Sequence, residues 1–380
     1  MAEIFDILIC GAGPAGSTCA LALGNSGLKV ALIEKAVFPR DKTCGDAVAN
    51  YVPKVLNTIN PLLVKELGGF AEKETVNTIR IVAPNEKFLD FPCSENGFIS
   101  KRLHFDNFLF EQVAKLPNVK VFLNSTIQNV SVKNHVVRVE GNGFELEASL
   151  VIGCDGANGI ISKKLSNNKV DLKHHSGAVR AYYKNVKGIP DKTFELHFLK
   201  NILPGYFWIF PLPDNQANVG LGMLSSSISK RKLSLRDKMK EIIESEPALK
   251  ERFANAEIIS PVEGHGLPLG SRKVTISGER FMLCGDAASL IDPLTGEGIG
   301  QAIISGRYAG WQAAKCFKEN NFSASFMKQY DKMVYDKLWK PHQKRYLVQR
   351  MINEKTWPIN MSINLANKNK VFYRLIKSLI

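Results

Sequence analysis

Ile4-Phe-Asp-Ile-Leu-Ile-Cys10, Gly11-Ala-Gly-Pro-Ala-Gly16, Ser17 to Asn25 with Gly27 behind it, then Lys29 to Ile33 and Glu34: this opening decides the fold of the chain. An apolar run, a glycine turn, a helix-like stretch ended by Gly27 and a second apolar run predict strand, turn, helix and strand. Such a βαβ unit, in about thirty residues, has a right-handed crossover and so makes a parallel sheet. Gly11, Gly13 and Gly16 form GxGxxG. Its spacing serves a tight turn, close backbone approach to a pyrophosphate, and close helix-on-strand packing. With Pro14 and Ala15 they are the expected pyrophosphate contacts, at a helix start that offers free N–H groups and a positive dipole end. Glu34, beside Lys35 at the end of the second strand, is placed to accept hydrogen bonds from a ribose diol. With no nearby Arg in its stead, it suits an unphosphorylated adenosine ribose.

Working outward, 380 residues exceed a typical single domain and imply two connected lobes. The composition, 45% hydrophobic and 23% charged, is that of a globular chain. There is no fixed-period repeat or low-complexity tract. The seven cysteines are odd in number, contain no CxxC pair and sit mostly in apolar segments, which favours free thiols and a reducing cytoplasm. The uncharged stretch Ile7 to Asn25 follows Glu3 and Asp6 and contains glycines and a proline, so it is neither signal peptide nor spanning helix. Net charge is +14, and from Lys328 onward 12 Lys or Arg face 3 Asp or Glu, about +9 in this tail alone.

Segments Thr75 to Phe91 and Val119 to Val151 alternate as strands and hairpins, with a helix from Arg102 to Leu116 between them. Val170 to Leu267 reads as a largely antiparallel lobe with one helix, Leu235 to Asn255. The chain then returns to a buried strand, Arg280 to Cys284, a glycine loop and the Ile299 to Phe317 helix. Because βαβ material brackets antiparallel material, the second lobe is an insertion in the first. Ala324 to Ile380 reads as helical with a break at Trp357-Pro358.

GxGxxG alone answers to NAD as well as FAD. The decision rests on Gly285-Asp286 after the Arg280 strand and on Asp292-Pro293-Leu294-Thr295-Gly296-Glu297-Gly298 leading into the Ile299 helix. Here the sequence resembles FAD-dependent oxidoreductases of the p-hydroxybenzoate hydroxylase fold. The resemblance implies that Asp286 holds the ribityl chain and that the Gly298, Ile299, Gly300 amides face the flavin pyrimidine. A helix N-terminus there would stabilise the negative charge of a reduced flavin. Ile152 to Gly156 resembles the Asp-Gly motif of flavin hydroxylases at Asp155. Where that motif continues with Ser, two residues and Arg, this chain has Gly159, Ile160, Ile161 and Ser162. That departure puts carry-over of the hydroxylase pyridine-nucleotide contacts in doubt. Arg102 matches the position where the fold places an arginine near the cofactor.

Pro39-Arg40-Asp41-Lys42-Thr43-Cys44-Gly45-Asp46 and Tyr206-x-Trp208-x-Phe210-Pro211, eight residues, then Gly220-x-Gly222, are similar to the geranylgeranyl reductase family. With the other motifs this resemblance spans about residues 4 to 315. It implies reduction of C=C bonds in a lipophilic, isoprenoid-like substrate by hydride from reduced flavin. Arg40, Cys44 and Gly45 would stand at the cofactor, with Cys44 a candidate proton donor and, as the alternative, a small residue in a crowded loop. Alternation puts Tyr206, Trp208 and Phe210 on one face of a strand, where they wall a tunnel or form ordinary core. Pro293 and Gly296 complete the ring-side set, Gly285 the ribityl set, and Pro211, Gly220 and Gly222 the substrate set.

The expected fold is therefore α/β. Residues 1–74, 100–165 and 268–323 form a Rossmann-like FAD domain, 75–99 and 166–267 an interleaved antiparallel substrate domain, and 324–380 a basic helical segment. The alternatives are a flavin monooxygenase or halogenase acting on an aromatic compound, and a flavoprotein that carries lipid without turnover. The electron donor is open among NADH, NADPH and ferredoxin. No P-loop, HExxH or GxSxG motif is present, and no metal site is expected. The basic tail suits peripheral contact with an anionic membrane at its inner face, or a solvated surface, better than nucleic acid, for which no motif exists.

Overall fold

The computed structural model describes residues 2–352 and 354–378. Its first sheet has eight strands, and Glu3–Cys10 lies at its centre. Val30–Ile33 and Val119–Phe122 pair in parallel on one side, Phe144–Gly153 and Phe281–Leu283 on the other. Ile7 to Cys10 are fully buried, as strands with helices on both faces require. The hairpin Ile127–Lys133 and Val136–Gly141 folds onto Phe144–Gly153.

The first helix spans Pro14–Ala22, not Ser17 to Asn25. Pro14 explains the early start: its fixed φ suits the first helical turn and its missing N–H would have no partner there. Helix Ile299–Lys318 crosses it closely. A Cβ on Gly306 would come within 2.1 Å of the Ala15 carbonyl oxygen, so small residues set the spacing of the two helices.

The second sheet has nine strands and is antiparallel except where Thr193–His197 runs parallel to Glu74–Val82. Ala47–Val48, from the first segment of the chain, joins its edge against Ile99 and Phe98. One face, with Phe207 and Ile209, packs under helices Leu235–Ser245 and Pro247–Phe253. These are two helices where the pattern predicts one. Glu246 is extended because the residue before a proline clashes in the helical region.

On the opposite face Trp208 and Phe210 share one buried apolar cluster with Ile359 and Ile363 of helix Trp357–Lys368, which lies against strand Phe88–Ile99. The break after Ala324–Ile352 falls before Trp357, and Pro358 sits in the first turn of the next helix. With Lys370–Lys377, these helices wrap the second sheet: Phe91 and Tyr373 stack at 5.2 Å, and the Tyr373 hydroxyl donates to the Asp90 carbonyl at 3.0 Å.

Candidate functional site

The three motif glycines do different work. Gly11 has φ +101° and a Cβ there would lie 2.3 Å from the Cys154 carbonyl oxygen; a Cβ on Gly16 would lie 1.8 Å from the Gly11 oxygen. Both serve packing. At Gly13 the nearest atoms to such a Cβ are guanidinium nitrogens, 3.5 Å away on Arg40 and 4.0 Å on Arg102. The helix entrance is thus open and flanked by two cations.

Asp106 gathers those cations. Arg102 Nε and Nη2 donate to its two oxygens at 2.6 and 2.7 Å, and Arg40 Nη1 at 2.8 Å. Burial opposes the charge on Asp106, but the two arginines hold its carboxyl below the usual range. Glu34 accepts the Ala12 and Ala36 N–H groups at 2.8 and 3.1 Å, and Arg40 Nε stands 3.8 Å from it. An arginine is therefore close to Glu34 in space, bound to carboxylates; Lys35 points to solvent. Asp155 accepts the Ile161 N–H at 3.0 Å and caps helix Ile160–Leu165. Burial pushes its carboxyl up to about 6. Any Cβ at position 159 would strike that carboxylate at 2.1 Å, which explains the glycine where the sequence leaves the hydroxylase pattern.

At the other end, Gly285 and Asp286 follow the buried strand Phe281–Leu283, and Lys42 Nζ lies 3.0 Å from Asp286 Oδ2. Burial works against the Asp286 charge, yet the Lys42 ammonium keeps its carboxyl low. Asp292 shapes the next loop by accepting the Leu294 and Thr295 N–H groups, both at 2.9 Å, and Arg345 at 2.7 Å. Tyr206 donates to the Thr295 carbonyl and Gln349 to that of Pro293. The Tyr51 hydroxyl donates to Glu297 at 2.6 Å. Five side chains thus pin the segment that leads into Ile299: Asp292 from within it, Arg345 and Gln349 from helix Ala324–Ile352, and Tyr206 and Tyr51 from elsewhere in the chain.

A cavity of about 910 Å³ joins these parts. Pro14, Arg102, Asp286, Pro293, Gly296, Gly298 and Ile299 line it, together with Cys44, Gly45, Tyr206, Trp208, Phe210 and Gly222. Gly220 lies behind Trp208, whose ring would meet a Cβ there at 2.2 Å. Pro211 falls on the alternate face of its strand and outside the lining.

Cys44 is enclosed between Arg102 and Asp46, and burial pushes its thiol up, so it is protonated at neutral pH. Sequence reasoning missed the shell behind it. Asp46, fully buried, accepts Tyr182 Oη and Asn218 Nδ2 at 2.8 Å each. Asn218 also donates to the Cys44 carbonyl at 2.7 Å and accepts the Trp208 Nε1–H at 2.9 Å. Asp46 closes the quoted motif and was legible there. Tyr182 and Asn218 lie in ordinary strands and gave no signal.

The arrangement fits FAD. Two helix N-termini, at Pro14 and Ile299, open on one cavity, with cations at the first and an anion, Asp286, between them. Among the described residues no cluster of ligands suits a metal ion.

Fold and site define the class as an FAD-dependent oxidoreductase, and residues 6–161 match the family model of the FAD dependent oxidoreductases. Residues 175–265, which contain the aromatic strand and both glycines, match the geranylgeranyl reductase catalytic domain. Digeranylgeranylglycerophospholipid reductase of Thermoplasma volcanium is 30% identical over 362 residues, covering 92% of this chain and 88% of the relative. That of Methanosarcina acetivorans is 31% identical over 355 residues, covering 90% and 81%. The chain belongs to the geranylgeranyl reductase family, as the motifs implied, and its cofactor is FAD. A geranylgeranyl bacteriochlorophyll reductase-like structure from Thermoplasma acidophilum superposes with TM-score 0.84 at 25% identity over 100% of both chains. The halogenase PltM in complex with phloroglucinol and FAD gives 0.79 at 17% identity, covering 99% of this chain and 82% of that one, a likeness of fold.

Proposed function

We propose that this enzyme saturates C=C bonds of a membrane lipid bearing isoprenoid chains, and that Cys44 donates the proton. The observation that carries the reading is the continuity of one cavity from the Pro293 to Ile299 segment, past Cys44, to the Tyr206, Trp208 and Phe210 wall. The relatives named above as digeranylgeranylglycerophospholipid reductases support the substrate class.

When bound and reduced, FAD supplies hydride to one alkene carbon. The chain does the rest. Gly13, Arg40 and Arg102 would hold the diphosphate, Asp286 the ribityl hydroxyls, and the amides at Ile299 the flavin's charged edge. The aromatic wall, extended by Phe91, Phe194 and Leu196, excludes water and orients the chain, each buried methylene contributing about 0.8 kcal/mol. The Cys44 thiol gives its proton to the second alkene carbon. On this reading residues 1–74, 100–165 and 268–323 hold the cofactor and 75–99 with 166–267 the substrate.

The C-terminal helices would dock on an anionic bilayer at the cytoplasmic face. Trp357, Met361 and Leu365 lie one turn apart and exposed, opposite the buried Ile359 and Ile363, with Lys355, Lys368, Lys370 and Arg374 nearby. No described helix is long and apolar enough to cross a membrane.

The test is anaerobic reduction of the FAD-loaded protein by dithionite with a digeranylgeranylglycerophospholipid. Mass gain in steps of two hydrogens is expected; an unchanged lipid, or a product containing oxygen, overturns the reading. Co-sedimentation with phosphatidylglycerol vesicles at low salt is also expected, and its absence would discard the docking surface.

A further inference from the structure

We infer that Arg307 binds the phosphate of the lipid head group, where the cavity runs between helices Val52–Asn57 and Ile299–Lys318. The inference deepens the reading of the substrate as an isoprenoid lipid and rests on it. Arg307 lines the cavity and is only 8% exposed. Taking a cation out of water is costly unless an opposite charge replaces its hydration, so buried arginines are normally paired. Arg307 has no carboxylate partner among the described residues. The carboxylates that line the same cavity are committed elsewhere: Asp286 to Lys42, Glu297 to Tyr51, and Asp46 to Tyr182 and Asn218.

The contacts Arg307 does make leave one edge of its guanidinium unused. The rings of Tyr308 and Trp311 lie 4.7 and 4.6 Å from its central carbon, cation–π contacts that engage the charge but none of the N–H groups. Nη1 carries its one hydrogen bond among the described residues, to Thr58 Oγ1 at 2.7 Å. Nε is buried and has no partner. What remains is the edge of Nε and Nη2, whose two parallel N–H groups match two oxygens of an oxyanion. A neutral ligand would fill the space and leave the buried charge uncompensated.

The surroundings place this edge on the path of the substrate. Gln301, Ile304 and Tyr308 line the cavity at spacings of three and four, so they form one face of their helix. Tyr51, Val55 and Thr58 line it opposite them in the same way. Two hydrogen bonds join these strips, Tyr51 to Glu297 at 2.6 Å beside the ring-side loop and Arg307 to Thr58 further along. Arg307 follows Ile299 by eight residues, about 12 Å along the helix axis. A phosphate at Arg307 is thus clear of the amides at Ile299, and the chain it carries runs along the strip toward them. Exposed Lys337, from helix Ala324–Ile352 packed on Ile299–Lys318, also lines the cavity and adds positive charge.

The experiment compares binding of digeranylgeranylglycerophosphate and of uncharged digeranylgeranylglycerol to the oxidised, FAD-loaded protein in detergent. Bound lipid is quantified by mass spectrometry after gel filtration. Wild type should bind the phosphate lipid roughly tenfold or more tightly than the alcohol. Arg307→Met should lose that preference while its affinity for the alcohol holds. Arg307→Lys keeps the charge but not the two-pronged edge, so it should retain part of the preference; this variant carries the test if Arg307→Met does not fold. Inorganic phosphate should displace the phosphate lipid only weakly and the alcohol not at all. Equal binding of the two lipids by wild type, or an equal loss for both lipids in the variants, overturns the assignment, the second outcome making Arg307 a brace between the helices. Inorganic phosphate that binds as tightly as the lipid overturns it too, in favour of a site for the free anion. Binding needs no turnover, so an Arg307-dependent preference in a protein that reduces neither lipid would sink the functional reading and uphold this site.

Discussion

Lys42 and Asp286 meet at 3.0 Å although 244 positions separate them in sequence. The contact ties the Cys44 loop to the strand end at Gly285-Asp286, the proposed ribityl site, so on that proposal cofactor binding and thiol placement share one ion pair. Lys42→Met leaves Asp286 buried without its cation. Its carboxyl should rise, and the dissociation constant for FAD should increase by roughly tenfold or more, equivalent to about 1.4 kcal/mol. Equilibrium dialysis with FAD measures this, and an unchanged constant would show that the pair does not organise the site.

Gly13 and Gly16 should fail differently on replacement by alanine. Gly16→Ala sets a Cβ against the Gly11 oxygen at 1.8 Å, a backbone clash that cannot relax, and should yield little folded protein. Gly13→Ala meets only two guanidinium ends at 3.5 and 4.0 Å, so the FAD-free protein should melt near wild type while its affinity for FAD falls. Thermal melts with and without FAD separate the two outcomes. Equal melting losses without cofactor would contradict the division of labour.

Arg102 is buried with Asp106. Removing the guanidinium in Arg102→Met leaves a buried carboxylate with Arg40 as its remaining partner, a loss of about 3–5 kcal/mol for a broken buried pair. Urea denaturation of the FAD-free protein should show it. The double variant Arg102→Met with Asp106→Leu should recover part of the loss, because the stranded charge is gone; no recovery would locate the damage elsewhere.

Asp46 makes stability depend on pH. Its carboxyl titrates at about 7 in the folded chain against an ordinary 3.8. Between those values the unfolded chain has released the proton and the folded chain has kept it. The group's stabilising contribution is therefore full below about 3.8, declines through the window and is lost above about 7. Asp46→Asn does not titrate, so its stability relative to wild type should rise from about pH 5 to 8, by up to about 3 kcal/mol. Urea midpoints at the two pH values give the difference, and a constant difference would refute the shifted carboxyl.

The glycine turn before the first helix was legible because its determinants are local. Gly11, Gly13 and Gly16 act through spacing along one turn, and the Asp286 to Ile299 segment leads directly into its helix. Alternation likewise placed Tyr206, Trp208 and Phe210 on one face, since a strand's period fixes sides without knowledge of the partner sheet. Boundaries were less secure: a proline started one helix early at Pro14 and split another at Pro247, because propensity patterns do not register a single missing N–H.

What lies behind Cys44 was not legible. Tyr182 and Asn218 reach it across 138 and 174 positions of sequence, and only the packing of their strands against the Cys44 loop brings them there. The same holds for the C-terminal helices, whose apolar stripe reads alone as amphipathic but is divided by the fold into a face against Phe91 and a face left open. By itself the sequence determined the parallel βαβ core, the dinucleotide turn and the aromatic face, all set by periodicities of a few residues. The tertiary structure decided which charges are paired, which glycines are packed rather than open, and that the Asp46 carboxyl is buried. Burial and pairing depend on neighbours that chain order does not name.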